Sequence, residues 1–294
     1  MRALFRCLTL LLSLLAASLA TAQVRDLQEI RAQGVLRHLG TPYAHFVTGS
    51  GDGLDVELMQ DFARHLGLRY EFVASSWATM ITDLTGRNEN GKTVQPRGDV
   101  IASGLTILPE RERLLRYSTP TFPSGVWLIA PAGSAATPIK AGGRLDQDIL
   151  MTKTRLRHRS LLVVDNTCLD SGLYGLNDSK IQLRRVSNGS NLIELIPALL
   201  RGDAELSLID VPDAIIGLEK WPGQIKIIGP ISGPQWMGLG FRKTSPELLA
   251  AFNDYFAARF KDGSYLQLVR KYYPAIPHYF PEFFGQHQGT GYVR

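Results

Sequence analysis

The sequence predicts an α/β fold of two lobes, each a mainly parallel sheet flanked by helices, with the lobes joined by two crossing segments. Three observations carry that expectation. Strand-like runs alternate with helical ones twice along the chain, the second set closes near Ile228, and a stretch marked by Pro230, Gly233, Pro234, Gly238 and Gly240 precedes a further amphipathic helix. That last helix then belongs with the first set. Lobe 1 is expected over residues 23–124 and 238–294, and lobe 2 over 125–237.

Taken in order, Asp26 to Gln33 reads as a helix, Val35 to Leu39 as a strand, and Gly49-Ser-Gly-Asp-Gly53 as a turn. Leu54, Leu58, Phe62 and Leu66, with Met59 and Ala63, recur at helical spacing, so a helix runs from about Asp55 to Leu66 and Gly67 ends it. Arg69 to Val73 alternates as a strand, Ser75 or Ser76 caps a helix through Leu84, and Val100 to Ala102 returns to the sheet. The insertion from Arg87 to Gln95 reads as an exposed hairpin or loop. In the second unit Val126 to Ala130, Leu161 to Val164 and Glu205 to Asp210 are β-like, and Asn191 to Leu200 is helical. Thr244-Ser-Pro-Glu247 starts the helix that runs through Phe260. This β-α-β order implies right-handed crossovers.

The chain has 294 residues, 45% of them hydrophobic and 20% charged, enough apolar surface for a packed core rather than a disordered chain. Residues 1–22 carry Arg2 and Arg6, an apolar run from Leu8 to Leu19, and Ala20-Thr21-Ala22, the pattern of a secretory signal cleaved before Gln23. The apolar run is short for a membrane span. A soluble, exported, periplasmic protein is expected. Cleavage removes two Arg and no acid, so the formal charge of +5 falls to +3, which calls for no nucleic-acid partner. The cluster Lys153, Arg155, Arg157, His158 and Arg159 reads as one solvated face. After cleavage only Cys168 is left, so no internal disulfide forms, and the scattered His residues offer no metal site. No His-Glu-x-x-His, Gly-x-Ser-x-Gly, P-loop or dinucleotide loop is present, and no cofactor is expected.

The most informative stretch is Gly98 to Arg113, followed by Tyr117-Ser-Thr-Pro120. A short buried strand leads into Ser103-Gly104, and Pro109 suits the first turn of a helix that carries Arg111. A guanidinium at that junction, with Ser103, Thr106 and free backbone N–H groups near it, is a receptor for a carboxylate. By itself the stretch is equally an ordinary surface turn.

The residues resemble those of the solute-binding proteins of amino-acid ABC transporters, the bacterial extracellular family 3. Gly53-Leu-Asp-Val-Glu-Leu58 is similar to the family's Gly-Phe-Asp signature, with Phe62 bulkier than usual. Ser103-Gly-Leu-Thr-Ile-Leu-Pro-Glu-Arg111 is similar to its Ser-Gly-Met-Ser-Ile-Thr-Pro-Glu-Arg, with Leu108 in place of Thr, and Gly202 to Pro212 resembles its Gly-x-x-Asp-Ala segment ending in Asp-x-Pro. The resemblance implies a type II periplasmic-binding-protein-like fold that closes on a ligand and hands it to an ABC permease in the inner membrane. It implies that Arg111, with Ser103, Gly104 and Thr106, grips an α-carboxylate. Asp210 would pair with an α-ammonium, Tyr43 and Trp77 would sandwich the ligand, and Thr167 would add a contact. Asn166 stands where the family has Gly. Each residue also has a plainer reading: Tyr43 and Trp77 as core aromatics, Asp210 as the end of a strand. A monomer without catalytic residues is expected.

Two relatives offer alternatives. Arg97-Gly-Asp-Val100 and Trp236 to Leu249 also resemble the solute-binding module of lytic murein transglycosylase F, whose lysozyme-like domain is not expected after the aromatic stretch Tyr272 to Phe284. A free-standing sensory module is then the alternative. Ser76-Trp77 resembles a motif of periplasmic cyclohexadienyl dehydratase, an enzyme that would place its acid at Leu169 or Asp170 here.

Overall fold

The computed structural model describes residues 25–88, 90–186 and 194–286. The leader, its cleavage site and the first turn of the helix expected from Asn191 lie outside them.

The first sheet has the order β2 (Arg69–Ala74), β1 (Val35–Gly40), β3 (Val100–Ile101), β12 (Gly240–Phe241), β4 (Arg116–Tyr117). β1 runs parallel to β2 and β3, whereas β12 is antiparallel to β3 and β4. The second sheet has the order β10 (Ile225–Pro230), β6 (Val126–Pro131), β9 (Leu206–Asp210), β7 (Ser160–Val163), β8 (Gln182–Arg185). Here β7 is parallel to β8 and β9, and β6 is antiparallel to β9 and β10. The α/β, two-lobe expectation holds: in each sheet four of the five strands point one way, and a single reversed strand, β12 in the first and β6 in the second, makes the sheet mixed. The cause lies in the crossings: β6 and β12 enter their sheets directly from the linking segments, with no helix to turn the chain back before pairing.

Between the sheets, β5 (Phe122–Ser124) and β11 (Gln235–Met237) pair antiparallel, Trp236 opposite Pro123. These are the two crossing segments. The clamp stretch touches them: the Ile107 N–H donates to the Trp236 carbonyl at 2.8 Å, and Thr106 bridges to Met237.

Helix α1 (Leu27–Gln33) starts at Asp26 in a capping box with Glu29. α2 (Leu54–His65) ends as expected, with Gly67 in left-handed conformation just beyond. α3 (Met80–Thr85) begins later than expected, because Ser76 uses its carbonyl, not its hydroxyl, to receive the Thr79 and Met80 N–H groups. α4 is the short helix Pro109–Glu112. In the second lobe α5 (Leu145–Thr154), α6 (Leu195–Arg201) and α7 (Val211–Lys220) cover the sheet. α8 (Pro246–Lys261), α9 (Ser264–Tyr272), α10 (Ile276–Tyr279) and α11 (Pro281–Gln286) come after the second crossing. Arg87 and Thr93 bridge as the expected hairpin.

Asp26 also caps α8 from a distance, accepting from the Glu247 and Leu248 N–H groups at 3.0 and 2.8 Å. Ser245 does not cap it, because its hydroxyl donates to the Arg25 carbonyl. Beside it, buried Asp99 takes two hydrogen bonds from Arg25, at 2.8 and 3.0 Å, and one from Arg242 at 3.1 Å. The chain after the second crossing is thereby tied to the start of the first lobe. The bulk of Phe62 is used here as well: its ring packs edge-on to Phe252 at 5.3 Å and against Tyr255 at 5.2 Å, both on α8. The aromatic tail folds back on the crossing, with Phe283 stacked on Trp236 at 5.5 Å.

Candidate functional site

Beyond β3, the turn from Ala102 to Gly104 is held by side chains reaching up from the first lobe. Buried His38 on β1 meets the Ala102 carbonyl through Nε2 and the Tyr70 hydroxyl through Nδ1, at 2.9 Å for the latter. A carbonyl only accepts, so Nε2 carries the proton. Burial pushes this imidazole down from 6.5 to about 4, against the opposing carbonyl contact, and keeps it neutral. Ser103 donates its hydroxyl to the Thr41 carbonyl at 2.7 Å and accepts from the Thr41 N–H at 3.2 Å. The Gly104 N–H donates to Asp55 at 2.7 Å. Burial raises that carboxyl to about 7, and the Gly104 bond opposes the rise only in part.

Two sequence expectations change at this point. Ser103 and the Gly104 N–H are committed within the first lobe, the one to the Tyr43 loop and the other to Asp55, so neither is a free donor. Gly104 is nonetheless required by the site's shape: its φ is +61°, and a Cβ would stand 2.5 Å from the Phe46 ring and 2.9 Å from Tyr43.

Arg111 is the pivot. Its side chain reaches back so that Nη1 donates to the Thr106 carbonyl at 3.0 Å, and it crosses to the second lobe, where Nη2 donates to the Asn166 carbonyl at 3.2 Å. The residue is only 7% exposed, and among the described residues no carboxylate lies within ion-pair distance of it. The Tyr117 hydroxyl shares the Thr106 carbonyl at 2.9 Å, and burial pushes that phenol up to about 12 while Arg111 pulls the other way.

On the second lobe Asn166 has φ +60°, a conformation that Gly or Asn adopts at little cost, which explains the departure from the Gly of similar sequences. Thr167 caps its own turn, donating to the Val164 carbonyl at 2.8 Å and accepting from the Leu169 N–H at 3.0 Å. Thus Asn166, not the Thr167 hydroxyl, reaches Arg111. Asp170 likewise caps its own turn: it accepts from the Asn166 and Gly172 N–H groups at 3.0 and 2.8 Å. Cys168 is buried next to them, and burial raises its pKa.

Asp210 ends β9 and caps α7, accepting from the Asp213 N–H at 3.3 Å. Its other oxygen accepts the Tyr43 hydroxyl from the first lobe. Burial and then the Asp213 charge raise its pKa well above the ordinary carboxylate range, and among the described residues no cation lies within ion-pair distance. Burial lifts Asp213 itself to about 7. Tyr43 stacks on Phe46 at 5.8 Å and meets Trp77 edge-on at 5.4 Å, and the indole N–H of half-buried Trp77 has no partner among the described residues. Tyr43, Trp77, Thr106, Arg111 and Asp210 therefore converge where the lobes meet. Chemically this sets a buried guanidinium on one lobe against a buried carboxyl that lacks a cation on the other, with aromatic faces beside them.

Sequence reasoning passed over Asp55, His38, Asn166 and Asp213 as site residues. Asp55 carried a signal, its place in the Gly53 motif; the others become visible only when distant segments meet.

A family model for bacterial extracellular solute-binding proteins, family 3, matches residues 40–275. The L-cystine-binding protein TcyJ of Escherichia coli (strain K12) is 26% identical over 227 residues, 77% of this chain and 76% of that protein. Membrane-bound lytic murein transglycosylase F of Desulfosudis oleivorans is 24% identical over 225 residues, 76% of this chain but 44% of that protein. The crystal structure of a mutant ArgBP from T. maritima superposes with a TM-score of 0.67 at 23% identity, covering 84% of this chain and 98% of that one.

Proposed function

Given that the chain belongs to family 3 of the bacterial extracellular solute-binding proteins, we propose that it is a periplasmic receptor that captures an amino acid or a similar small carboxylate between its lobes. In this reading it is exported through a cleaved leader of residues 1–22, acts as a monomer and passes its ligand to an ABC permease. Lobe 1 comprises residues 23–124 and 238–294, lobe 2 residues 125–237.

One observation carries the reading. Arg111 is a buried cation whose partners are two carbonyls, one from each lobe, and a buried guanidinium without a carboxylate calls for an anion. Asp210 poses the converse demand for a cation. A zwitterion satisfies both, its carboxylate held bidentately by Arg111 and its ammonium by Asp210. Closure about the β5/β11 crossing brings the two halves onto the ligand. The names of TcyJ and ArgBP, binders of L-cystine and of arginine, support the amino-acid class.

The reading includes no turnover. A dehydratase needs a free carboxylic acid near Asp170, and that carboxyl is occupied by two backbone N–H groups while Leu169 is buried and apolar. The test is a thermal-shift screen of the mature protein against the common amino acids and small carboxylates, followed by calorimetry on wild type and Arg111→Ala. Selective binding that vanishes in the variant is the expected result. Unchanged affinity in Arg111→Ala would refute the reading.

A further inference from the structure

Behind the contact between Tyr43 and Asp210 lies a cavity of about 120 Å³. That is the room of about four waters. Its walls are apolar, made by Ile196, Ile209, Ile216 and Trp221 of the second lobe, and the Ala44-His45 loop of the first lobe closes it. It begins where the Asp210 contact ends, because Ala44 comes directly after Tyr43 and Asp213 bonds Asp210 through its backbone.

The polar groups inside it share one chemical character. Asp213 lines the cavity and is 7% exposed, and among the described residues its carboxyl has no hydrogen bond or ion pair. His45 gives its Nδ1 to the Tyr272 carbonyl at 2.8 Å, so that nitrogen carries the proton and Nε2 is left as an acceptor. Among the described residues Lys220 is the one lysine or arginine on the lining, and it stands at the exposed rim with its ammonium 4.9 Å from the centre of the Trp221 ring. Acceptors therefore sit inside and the cation outside, where water screens it. A buried carboxyl against apolar walls is stable when it meets N–H donors.

We propose that this cavity receives the far end of the ligand's side chain and selects an ammonium or guanidinium group on a short apolar stem, with Asp213 as the residue that sets this preference. The inference rests on the amino-acid reading above. The cavity adjoins Asp210 through Asp213, three residues further on, so it lies beside a ligand whose ammonium is held at Asp210.

The experiment compares L-lysine with L-norleucine, which has the same stem without the terminal charge, by calorimetry on the mature wild-type protein and on Asp213→Asn. Wild type should bind lysine roughly tenfold or more tightly than norleucine, the expected worth of a charge-assisted hydrogen bond. In Asp213→Asn the difference between lysine and norleucine should disappear. Equal affinities in wild type overturn the proposal without recourse to any variant. A lysine preference that survives in Asp213→Asn overturns the role of Asp213. Binding of small amino acids such as alanine, with neither lysine nor norleucine bound, overturns the inference and leaves the receptor reading standing; no binding of any amino acid overturns both.

Discussion

Tyr43 and Asp210 stand on opposite lobes, 167 positions apart in the chain, and the phenol of one donates to the carboxylate of the other. In the proposed receptor the hydroxyl occupies the oxygen that the ligand's ammonium would take. It acts as a competitor for that place.

Replacing Tyr43 by Phe removes the competitor and leaves the ring that stacks on Phe46. Affinity for an amino acid should then rise by a factor of several, since a neutral hydrogen bond contributes about 1 kcal/mol. Calorimetry on Tyr43→Phe checks this, and a weaker complex would mean that the hydroxyl serves the ligand instead. Asp210→Asn should weaken amino acids strongly and spare keto acids or dicarboxylates.

Arg111 donates to carbonyls on both lobes through two different nitrogens, a geometry that a single ammonium does not reproduce. Both Arg111→Ala and Arg111→Lys should reduce affinity for carboxylate ligands by roughly 2–5 kcal/mol. Binding by Arg111→Lys to within about threefold of wild type would show that charge alone suffices.

Asp55 and His38 oppose each other in their response to pH. Asp55 holds its proton up to about 7 in the folded chain and to 3.8 ordinarily, so its contribution to stability is present below about 4 and is lost as pH rises to 7. His38, near 4 folded and 6.5 ordinarily, contributes above 6.5 and loses that contribution as pH falls to 4. Between pH 4 and 6.5 the two slopes partly cancel. Asp55→Asn keeps an acceptor for Gly104 and removes one slope, so its stability relative to wild type should improve by a few kcal/mol, in order of magnitude, from about pH 4 to about pH 7.5. Urea midpoints across that range measure it, and a difference that does not move with pH would defeat the argument.

Asp99 is fully buried between Arg25 and Arg242. Asp99→Ala leaves a buried guanidinium without its counter-charge and should cost about 3–5 kcal/mol in stability. Denaturant unfolding provides the number; a loss below about 1 kcal/mol would mean that solvent reaches the site.

The local chemistry was legible from the sequence, and the long-range chemistry was not. Arg111 and Asp210 announce themselves because helix-start and strand-end residues are set by near neighbours: Pro109 opens the turn that aims the one, and the start of α7 fixes the other. The sequence singles out Gly104 as part of a carboxylate receptor, and the structure gives it a different task. Its N–H is taken by Asp55, 49 residues earlier, and its value lies in the missing Cβ beside Tyr43 and Phe46. Sequence spacing assigns the cap of α8 to the Thr244-Ser245 stretch, yet Asp26 supplies it from the far end of the chain. The antiparallel strands escaped notice for the same reason: periodicity reports which residues are buried and is silent on which way a two-residue strand such as Gly240–Phe241 points.

Cys168, the free cysteine of the described residues, turns the cleft into a clock. Its thiol lies under the meeting of the lobes, against Thr106, and burial keeps it in the unreactive protonated form. In the proposed receptor an alkylating reagent should reach it chiefly when the lobes part. The rate of labelling should then follow the fraction of time the lobes stand apart, and a ligand that holds them together should lower it as that fraction falls.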